Sequence, residues 1–248
     1  MNRYPFSRIQ ENEVLSMKKS IQPLVYALVL VMTISLVAFG NRAVTAMSEA
    51  RPPVRDHTII IDPGHGGVDG GAVSICSVAE KEYNLQISLR LRDLLNLLGW
   101  QTRMIRETDE SIYTEGETIA AKKASDLKQR LRITEETKNP VFISIHQNFF
   151  PDSRYSGPQV FYARSKGSDT LAQALQKAMN GHLNPGSRRE CKQAQGIWLM
   201  ERIQSPAVLI ECGFLSNPRE EAKLRSPEYQ KKLSCVIAAT VAESLCHA

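Results

Sequence analysis

A run of apolar, β-branched residues leads into a loop with five glycines in the segment His57-Thr-Ile-Ile-Ile-Asp62-Pro63-Gly64-His65-Gly66-Gly67-Val-Asp69-Gly70-Gly71-Ala72. Residues 58–61 predict a short buried strand, which ends at Asp62-Pro63 because proline cannot extend a central strand. His65 follows at the carboxyl end of that strand, where open α/β sheets bind their ligands. The segment therefore indicates a functional loop around His65, although a glycine-rich turn with an incidental histidine would also fit it.

Two later segments repeat this arrangement of a strand followed by a titratable side chain. The first is Val141-Phe-Ile-Ser-Ile-His146-Gln-Asn148, and the second is Ala207-Val-Leu-Ile-Glu211-Cys-Gly213. Parallel strands end at the same edge of a sheet, so His65, His146 and Glu211 are expected to lie close together. Titratable groups that converge at one edge are typical of a metal-hydrolase site.

Four sequence blocks carry a family resemblance. They are Asp62-Pro-Gly-His65-Gly-Gly with Asp69-x-Gly71-Ala72, Glu80-Lys81-x-x-Asn84-Leu85, Ser144-Ile-His146-x-Asn148 and Glu211-x-Gly213-Phe-Leu-Ser-Asn217. In this order they resemble the zinc-dependent N-acetylmuramoyl-L-alanine amidases over residues 57–245, and four ordered blocks are more specific than any single one. Two residues depart from the pattern of that family. They are Gly70, where the family usually has proline, and Gln147. An apolar N-terminal segment before a bare catalytic domain further resembles the germination-specific amidases of spore-forming bacteria.

The resemblance implies one zinc ion per domain, held by His65, Glu80 and His146. Two histidines and one glutamate are a ligand set known from catalytic zinc sites. Glu80 is expected in the first turn of a helix, where the helix dipole favours a carboxylate. The alternatives are that Glu82 is the ligand and that Glu80 is a solvated first-turn residue. Glu211 is then the predicted catalytic residue, acting as general base, with a capped or salt-bridged strand-end glutamate as its alternative role.

The activity that the resemblance implies is hydrolysis of the amide bond between N-acetylmuramic acid and L-alanine in peptidoglycan. The narrower resemblance implies a role in spore cortex maturation, through formation of muramic-δ-lactam, and in germination. Two alternatives stay open: a catalytically inactive, membrane-tethered cell-wall-binding protein, and a metallopeptidase that cleaves stem peptides. Asn148 and Arg106 are candidates either for contacting the substrate or for supporting the metal ligands from behind. A structural role is the alternative for both.

The composition is that of an ordinary globular protein, since 42% of the 248 residues are hydrophobic and 23% are charged. Residues 1–47 carry five basic and two acidic side chains, a net +3 of the total charge of +5. The remaining +2 lies on residues 48–248 and does not indicate a nucleic-acid-binding face. The chain has five cysteines, which is an odd number, and no Cys-x-x-Cys pair. No disulfide framework is therefore predicted.

An uncharged apolar run over residues 24–39 follows Lys18 and Lys19. It predicts a signal peptide, with a cleavage pattern at Val44-Thr-Ala46, or a short membrane anchor. The preceding positive charges predict that the rest of the chain lies outside the cytoplasmic membrane. We therefore expect an exported protein at the outer face of that membrane, in the cell wall or in the space between the forespore membranes. Its expected partners are peptidoglycan, the membrane through an uncleaved segment 24–39, and an activating or docking protein, but not nucleic acid.

Strands that alternate with helices predict one α/β domain with a mostly parallel, twisted sheet of about six strands and helices on both faces. The expected regions are the N-terminal flank with its apolar segment over residues 1–47, a linker over 48–56 and a catalytic domain over 57–248. The predicted strands are residues 58–61, 101–106, 141–145, 160–162, 197–200 and 207–210. The predicted helices are residues 80–98, 126–138 with Asp126 as N-cap, 170–183, a short one from 217 and 227–245.

Overall fold

The computed structural model describes residue 23, residues 28–37 and residues 55–246. The chain divides into two compact units, residues 1–54 and residues 55–248. Within the first unit, residues 28–37 form an exposed helix, which covers part of the predicted apolar segment 24–39. Among the described residues, no helix combines the length and the apolar composition needed to cross a membrane. The predicted cleavage pattern and residues 48–54 of the predicted linker lie outside the described residues.

The second unit contains a six-stranded sheet in the order β2-β1-β3-β6-β4-β5. The strands are β1 (Thr58–Pro63), β2 (Gln101–Met104), β3 (Pro140–Asn148), β4 (Gln159–Tyr162), β5 (Lys192–Gln193) and β6 (Ala207–Phe214). Only the β4–β6 pair is antiparallel among these strands. The predicted α/β domain with a mostly parallel sheet of about six strands is therefore confirmed.

Five helices cover the two faces of this sheet. They are α1 (Glu80–Leu97), α2 (Ile119–Glu135), α3 (Ser168–His182), α4 (Pro218–Arg225) and α5 (Pro227–Cys246). Because side chains alternate across a strand, Ile59 and Ile61 pack in the core beneath α1, α3 and α5, whereas Ile60 packs on the opposite face. That opposite face is covered by α2 and by residues 194–203, so the prediction of helices on both faces is confirmed.

The start of α2 differs from the prediction. The helix begins at Ile119 rather than at Asp126, and Thr118 is its N-cap, accepting a hydrogen bond from the Ala121 amide. Asp126 instead accepts hydrogen bonds from the Ile112 amide and the Arg130 side chain. The first turns of α2 have few large apolar side chains, so the sequence shows no helical period there. Their alanines and lysines are nevertheless good helix formers.

A second correction concerns residues 197–200, which form turns and not the predicted strand. Leu199 and Met200 are buried in the core beside α2, so their apolar character reflects packing and not strand pairing. The sixth strand is instead the short β5, which pairs with β4 and lies in a segment for which no strand was predicted. A short apolar run alone does not reveal its backbone conformation.

The three central strands bring the candidate functional residues to one edge of the sheet. β3 lies between β1 and β6, and all three run parallel. The register pairs Pro63 with Ile145 and His146 with Glu211. The loop after β1, the last residues of β3 and the end of β6 therefore meet at the carboxyl edge, as the sequence predicted.

Candidate metal centre and active site

His65, Glu80 and His146 form a cluster at this edge. Nε2 of His65 lies 3.2 Å from Oε2 of Glu80, and Nδ1 of His146 lies 3.0 Å from Oε1 of Glu80. One potential ligand atom from each residue lies within 4.8 Å of the others. Two imidazole nitrogens and a carboxylate are a donor set that suits a catalytic zinc ion. These residues therefore fit the metal that the sequence led us to expect.

Glu80 is the first residue of α1, and the structure separates it from the alternative ligand Glu82, which is exposed and outside the cluster. Its carboxylate accepts hydrogen bonds from the Ala72 and Gln147 amides, both at 3.0 Å. Burial by itself would raise the pKa of Glu80, but its contacts with the two histidines hold this pKa well below its usual range. The carboxylate is thus fixed in place and ionised, as a metal ligand must be.

His65 has a φ of 61°, in the left-handed region that residues other than glycine seldom adopt. Its Nδ1 lies 2.9 Å from Oδ2 of Asp69, which leaves Nε2 to face Glu80. Burial lowers the pKa of His65, but the hydrogen bonds to Asp69 and Glu80 outweigh that effect and raise it to about 9. A carboxylate on the outer nitrogen fixes the orientation of a metal-binding histidine, and the two carboxylates make the site favourable for a cation.

Gly64 and Gly71 allow the cluster to close. A Cβ atom on Gly64 would lie 2.2 Å from Nε2 of His146. On Gly71, which has a φ of +68°, a Cβ atom would lie 2.6 Å from Oε2 of Glu80 and 2.7 Å from Cδ2 of His65. The glycine-rich loop in the sequence is therefore required for the close approach of its backbone to the three side chains.

Two buried arginines support the loop from behind. Arg106 donates to the backbone carbonyls of Pro63, Gly64 and His65 at 2.8–3.1 Å. It is 2% exposed, so its guanidinium faces the loop backbone and not the open cleft. Arg130 donates to the carbonyls of Pro63 and His65 and pairs with the buried Asp62 carboxylate. Asp62 and Arg130 were not predicted as supporting residues, although Asp62 stands inside the first motif block.

Glu211 stands beside His146 in the sheet register, at the end of β6. Its side chain is partly buried, and Oε2 is inaccessible and has no hydrogen-bond partner among the described residues. Burial raises the pKa of Glu211 to about 7, and the nearby Glu80 charge acts in the same direction. Glu211 is therefore a carboxylate outside the three-residue cluster. Its pKa lies near neutral pH, which suits a general base.

Asn148, the remaining candidate from the sequence, and two of the cysteines lie outside the three-residue cluster. Asn148 is half-buried at the end of β3, where its carbonyl accepts a hydrogen bond from the Leu215 amide. Cys76 donates a hydrogen bond to Glu221, and Cys212 is buried with its sulfur near the Ile210 carbonyl. No disulfide joins the five cysteines, all of which lie in the described part of the chain. Neither Cys76 nor Cys212 belongs to the ligand cluster.

A cleft of about 360 Å³ opens beside the cluster, on the sheet face covered by α2. His65 and His146 line one end. Each imidazole side chain is about one-fifth exposed, at 21% and 20%, so both are reachable from the cleft, whereas Glu80 is only 4% exposed behind them. The walls are mainly apolar, with Val68, Leu127, Ile197, Trp198, Leu199 and Leu209. The arrangement can hold a substrate against the cluster of His65, Glu80 and His146.

Comparisons with known proteins agree with this geometry. The family model described as N-acetylmuramoyl-L-alanine amidase matches residues 59–243. The germination-specific N-acetylmuramoyl-L-alanine amidase of Bacillus subtilis is 37% identical over 187 residues, which cover 75% of this chain and 78% of that protein. A probable cell wall amidase, LytH of Staphylococcus epidermidis, is 32% identical over 177 residues, or 69% of this chain and 53% of that protein.

Among solved structures, the chain is similar to the CwlD amidase from Clostridioides difficile, which was determined in complex with the GerS lipoprotein. The TM-score is 0.74 and the sequence identity 37%. The match covers 77% of this chain and 99% of that one. The similarity therefore spans nearly all of the solved chain.

Proposed function

Because the chain belongs to the N-acetylmuramoyl-L-alanine amidase family and is a hydrolase of peptidoglycan, we propose that it works with one zinc ion held by His65, Glu80 and His146. The observation that carries this proposal is the convergence of the three ligand atoms within 4.8 Å. The buried Glu80 carboxylate and the Asp69 contact to His65 support it, because both fix the donor atoms in advance. Glu211 is the proposed general base.

The proposed reaction hydrolyses the amide between the lactyl group of N-acetylmuramic acid and L-alanine. When bound, zinc supplies Lewis acidity, which polarises a carbonyl and lowers the pKa of water. Glu211 accepts a proton from the attacking water as the new C–O bond forms. It returns that proton to the nitrogen of L-alanine as the C–N bond breaks. The products are a lactyl carboxylate on the glycan and a stem peptide with a free amino group.

Asp69, Arg106 and Arg130 have supporting roles in this proposal. Asp69 orients the His65 imidazole through its Nδ1. The two arginines donate to the carbonyls of Pro63, Gly64 and His65 and so hold the strained loop in position. None of the three needs to contact the substrate for the reaction to proceed. Their proposed contribution is the geometry of the ligands.

Analysis of reaction products tests the proposed activity. We expect the full-length chain, purified in a mild detergent with one equivalent of zinc, to release stem peptides that begin with L-alanine from muropeptides. Mass spectrometry should find the remaining glycan with intact lactyl groups. Removal of zinc by a chelator should stop release, and added zinc should restore it. Cleavage inside the stem peptide would instead favour the metallopeptidase alternative.

We also place the chain in spore cortex formation, outside the cytoplasmic membrane. The similarity to the germination-specific amidase of Bacillus subtilis supports the cortex role, and the basic flank before the apolar segment 24–39 supports export. The related CwlD amidase was solved with a lipoprotein, which supports a docking protein for this chain too. Rapid and complete digestion of intact sacculi by the chain alone would argue against that dependence.

A genetic complementation experiment tests the cortex role and export together. Spores of a strain that lacks this chain are expected to contain cortex without muramic-δ-lactam, because the stem peptide must leave before the lactam can form. The full-length chain should restore the lactam. A version without residues 1–47 should accumulate without restoring it, since it would stay in the cytoplasm. Restoration by that shortened version would contradict export, and normal lactam in the deletion strain would contradict the cortex role.

A further inference from the structure

Among the described residues that line the cleft beside the metal centre, one cationic side chain has no carboxylate partner. Three basic side chains line this cleft: Lys122, Lys123 and Arg130. Arg130 pairs with buried Asp62 and with Asp126, and Lys123 lies 2.9 Å from Oδ1 of Asp69. Lys122 has no carboxylate within salt-bridge distance among the described residues. Its ammonium lies 5.1 Å from the centre of the Tyr113 ring and its side chain is half-buried.

The position of Lys122 is fixed relative to the metal centre. Lys122 lies in the first turns of α2, where its amide donates to the carbonyl of the N-cap residue Thr118. Its neighbour Lys123 contacts Asp69, which in turn contacts His65. These contacts hold the start of α2 against the loop that carries a proposed zinc ligand. A group bound at Lys122 therefore shares one cleft with the bond that is cleaved.

The cleft walls favour the peptide half of the substrate over the glycan half. The exposed surface of the cleft is mainly apolar, and Val68, Leu127 and Ile197 are among the side chains that form it. Burying a sugar there would leave hydroxyl groups without hydrogen-bond partners, which is costly. An alanine methyl group and a short peptide suit such walls better. The cleft volume, about 360 Å³, lies within the range of about 300–1,000 Å³ that is usual for sites binding small ligands.

We propose that this cleft binds the stem peptide and that the ammonium group of Lys122 binds the free carboxylate of the acidic residue that follows L-alanine. This inference rests on the proposed function, because it assigns the peptide side of the same site. In peptidoglycan that residue is linked through its side-chain carboxyl group, so its α-carboxyl group stays free or is amidated. An ammonium group that has no carboxylate partner among the described residues, next to apolar walls, recognises the ionised form and not the amide. Lys122 is thus a specificity-determining residue.

The test compares two peptidoglycan fragments that differ only at this group, which is a carboxylate in one and a carboxamide in the other. The full-length chain should prefer the carboxylate fragment. Lys122→Met keeps most of the length of the side chain and removes its charge. It should lower kcat/KM about tenfold on the carboxylate fragment, in line with the loss of a charged hydrogen bond, and less than twofold on the carboxamide fragment.

Lys128→Met is the matched control, since Lys128 is an exposed lysine on the same helix that does not line the cleft. It should leave both rates unchanged. If Lys122→Met lowers kcat/KM equally on both fragments, the lysine has a structural role. If it lowers kcat/KM on neither, the lysine does not bind either fragment. Both results overturn the inference.

A binding measurement separates this inference from the proposed function. If the native chain cleaves neither fragment, the proposed function fails. Calorimetry with the two free stem peptides then decides the inference alone. The carboxylate peptide should bind the native chain more tightly than the carboxamide peptide does, and Lys122→Met should remove that difference. Equal affinities for the native chain would reject the role of Lys122.

Discussion

Replacing His65 by alanine is expected to abolish tight zinc binding and, with it, turnover. The change removes one of three proposed protein ligands and also the partner of Asp69. Two remaining ligands cannot define the site that a catalytic zinc ion requires. The measurements are the zinc content after dialysis, the affinity in competition with a chelator, and stem-peptide release under the same conditions.

His182→Ala is the matched control for this prediction. His182 is exposed in the last turn of α3 and does not belong to the cluster. The control should keep about one equivalent of zinc and full activity. Thermal unfolding of the two variants without metal shows whether the His65 change disturbs the fold itself. A His65→Ala chain with native zinc content and activity would show that the ligand assignment is wrong.

Local sequence patterns predicted the elements that carry the site. The β-branched and apolar runs that became β1, β3 and β6 have no competing helical period, and parallel packing brings their ends together. The patterns failed where tertiary contacts decide the conformation. Residues 197–200 are apolar because they cover the sheet face beside α2, and β5 is too short to produce a pattern. The start of α2 depends on the Thr118 cap, which lies in a polar segment.

The ligand cluster was predicted from motif blocks, but the groups that hold it were only partly visible in the sequence. Asp62 and Arg130 are 68 residues apart, and no local pattern pairs them. Arg106 was a candidate for a supporting contact, yet its bonds to successive loop carbonyls depend on the folded path of the loop. The contact between Lys123 and Asp69 likewise follows from the packing of α2. Such pairs are set by tertiary structure because the partners come from different elements.

Replacing Glu211 by glutamine is expected to separate catalysis from metal binding. Glutamine keeps the size of the side chain but cannot accept a proton from water. General acid–base groups contribute roughly 10²–10⁴-fold to rates, so we expect kcat to fall about 10²-fold or more. Zinc content should stay at one equivalent, because Glu211 is not a member of the cluster of His65, Glu80 and His146. Stem-peptide release and metal analysis on the same preparation measure both quantities.

The stability of this variant provides an independent check. Burial disfavours the ionised form of Glu211, and its Oε2 has no hydrogen-bond partner among the described residues. A neutral amide removes that cost, so the Tm of the metal-free Glu211→Gln chain should not fall below the native value. Glu243→Gln, at an exposed position on α5, should change neither activity nor Tm. Loss of zinc in Glu211→Gln would instead make Glu211 a ligand, and a native turnover rate would exclude it as the general base.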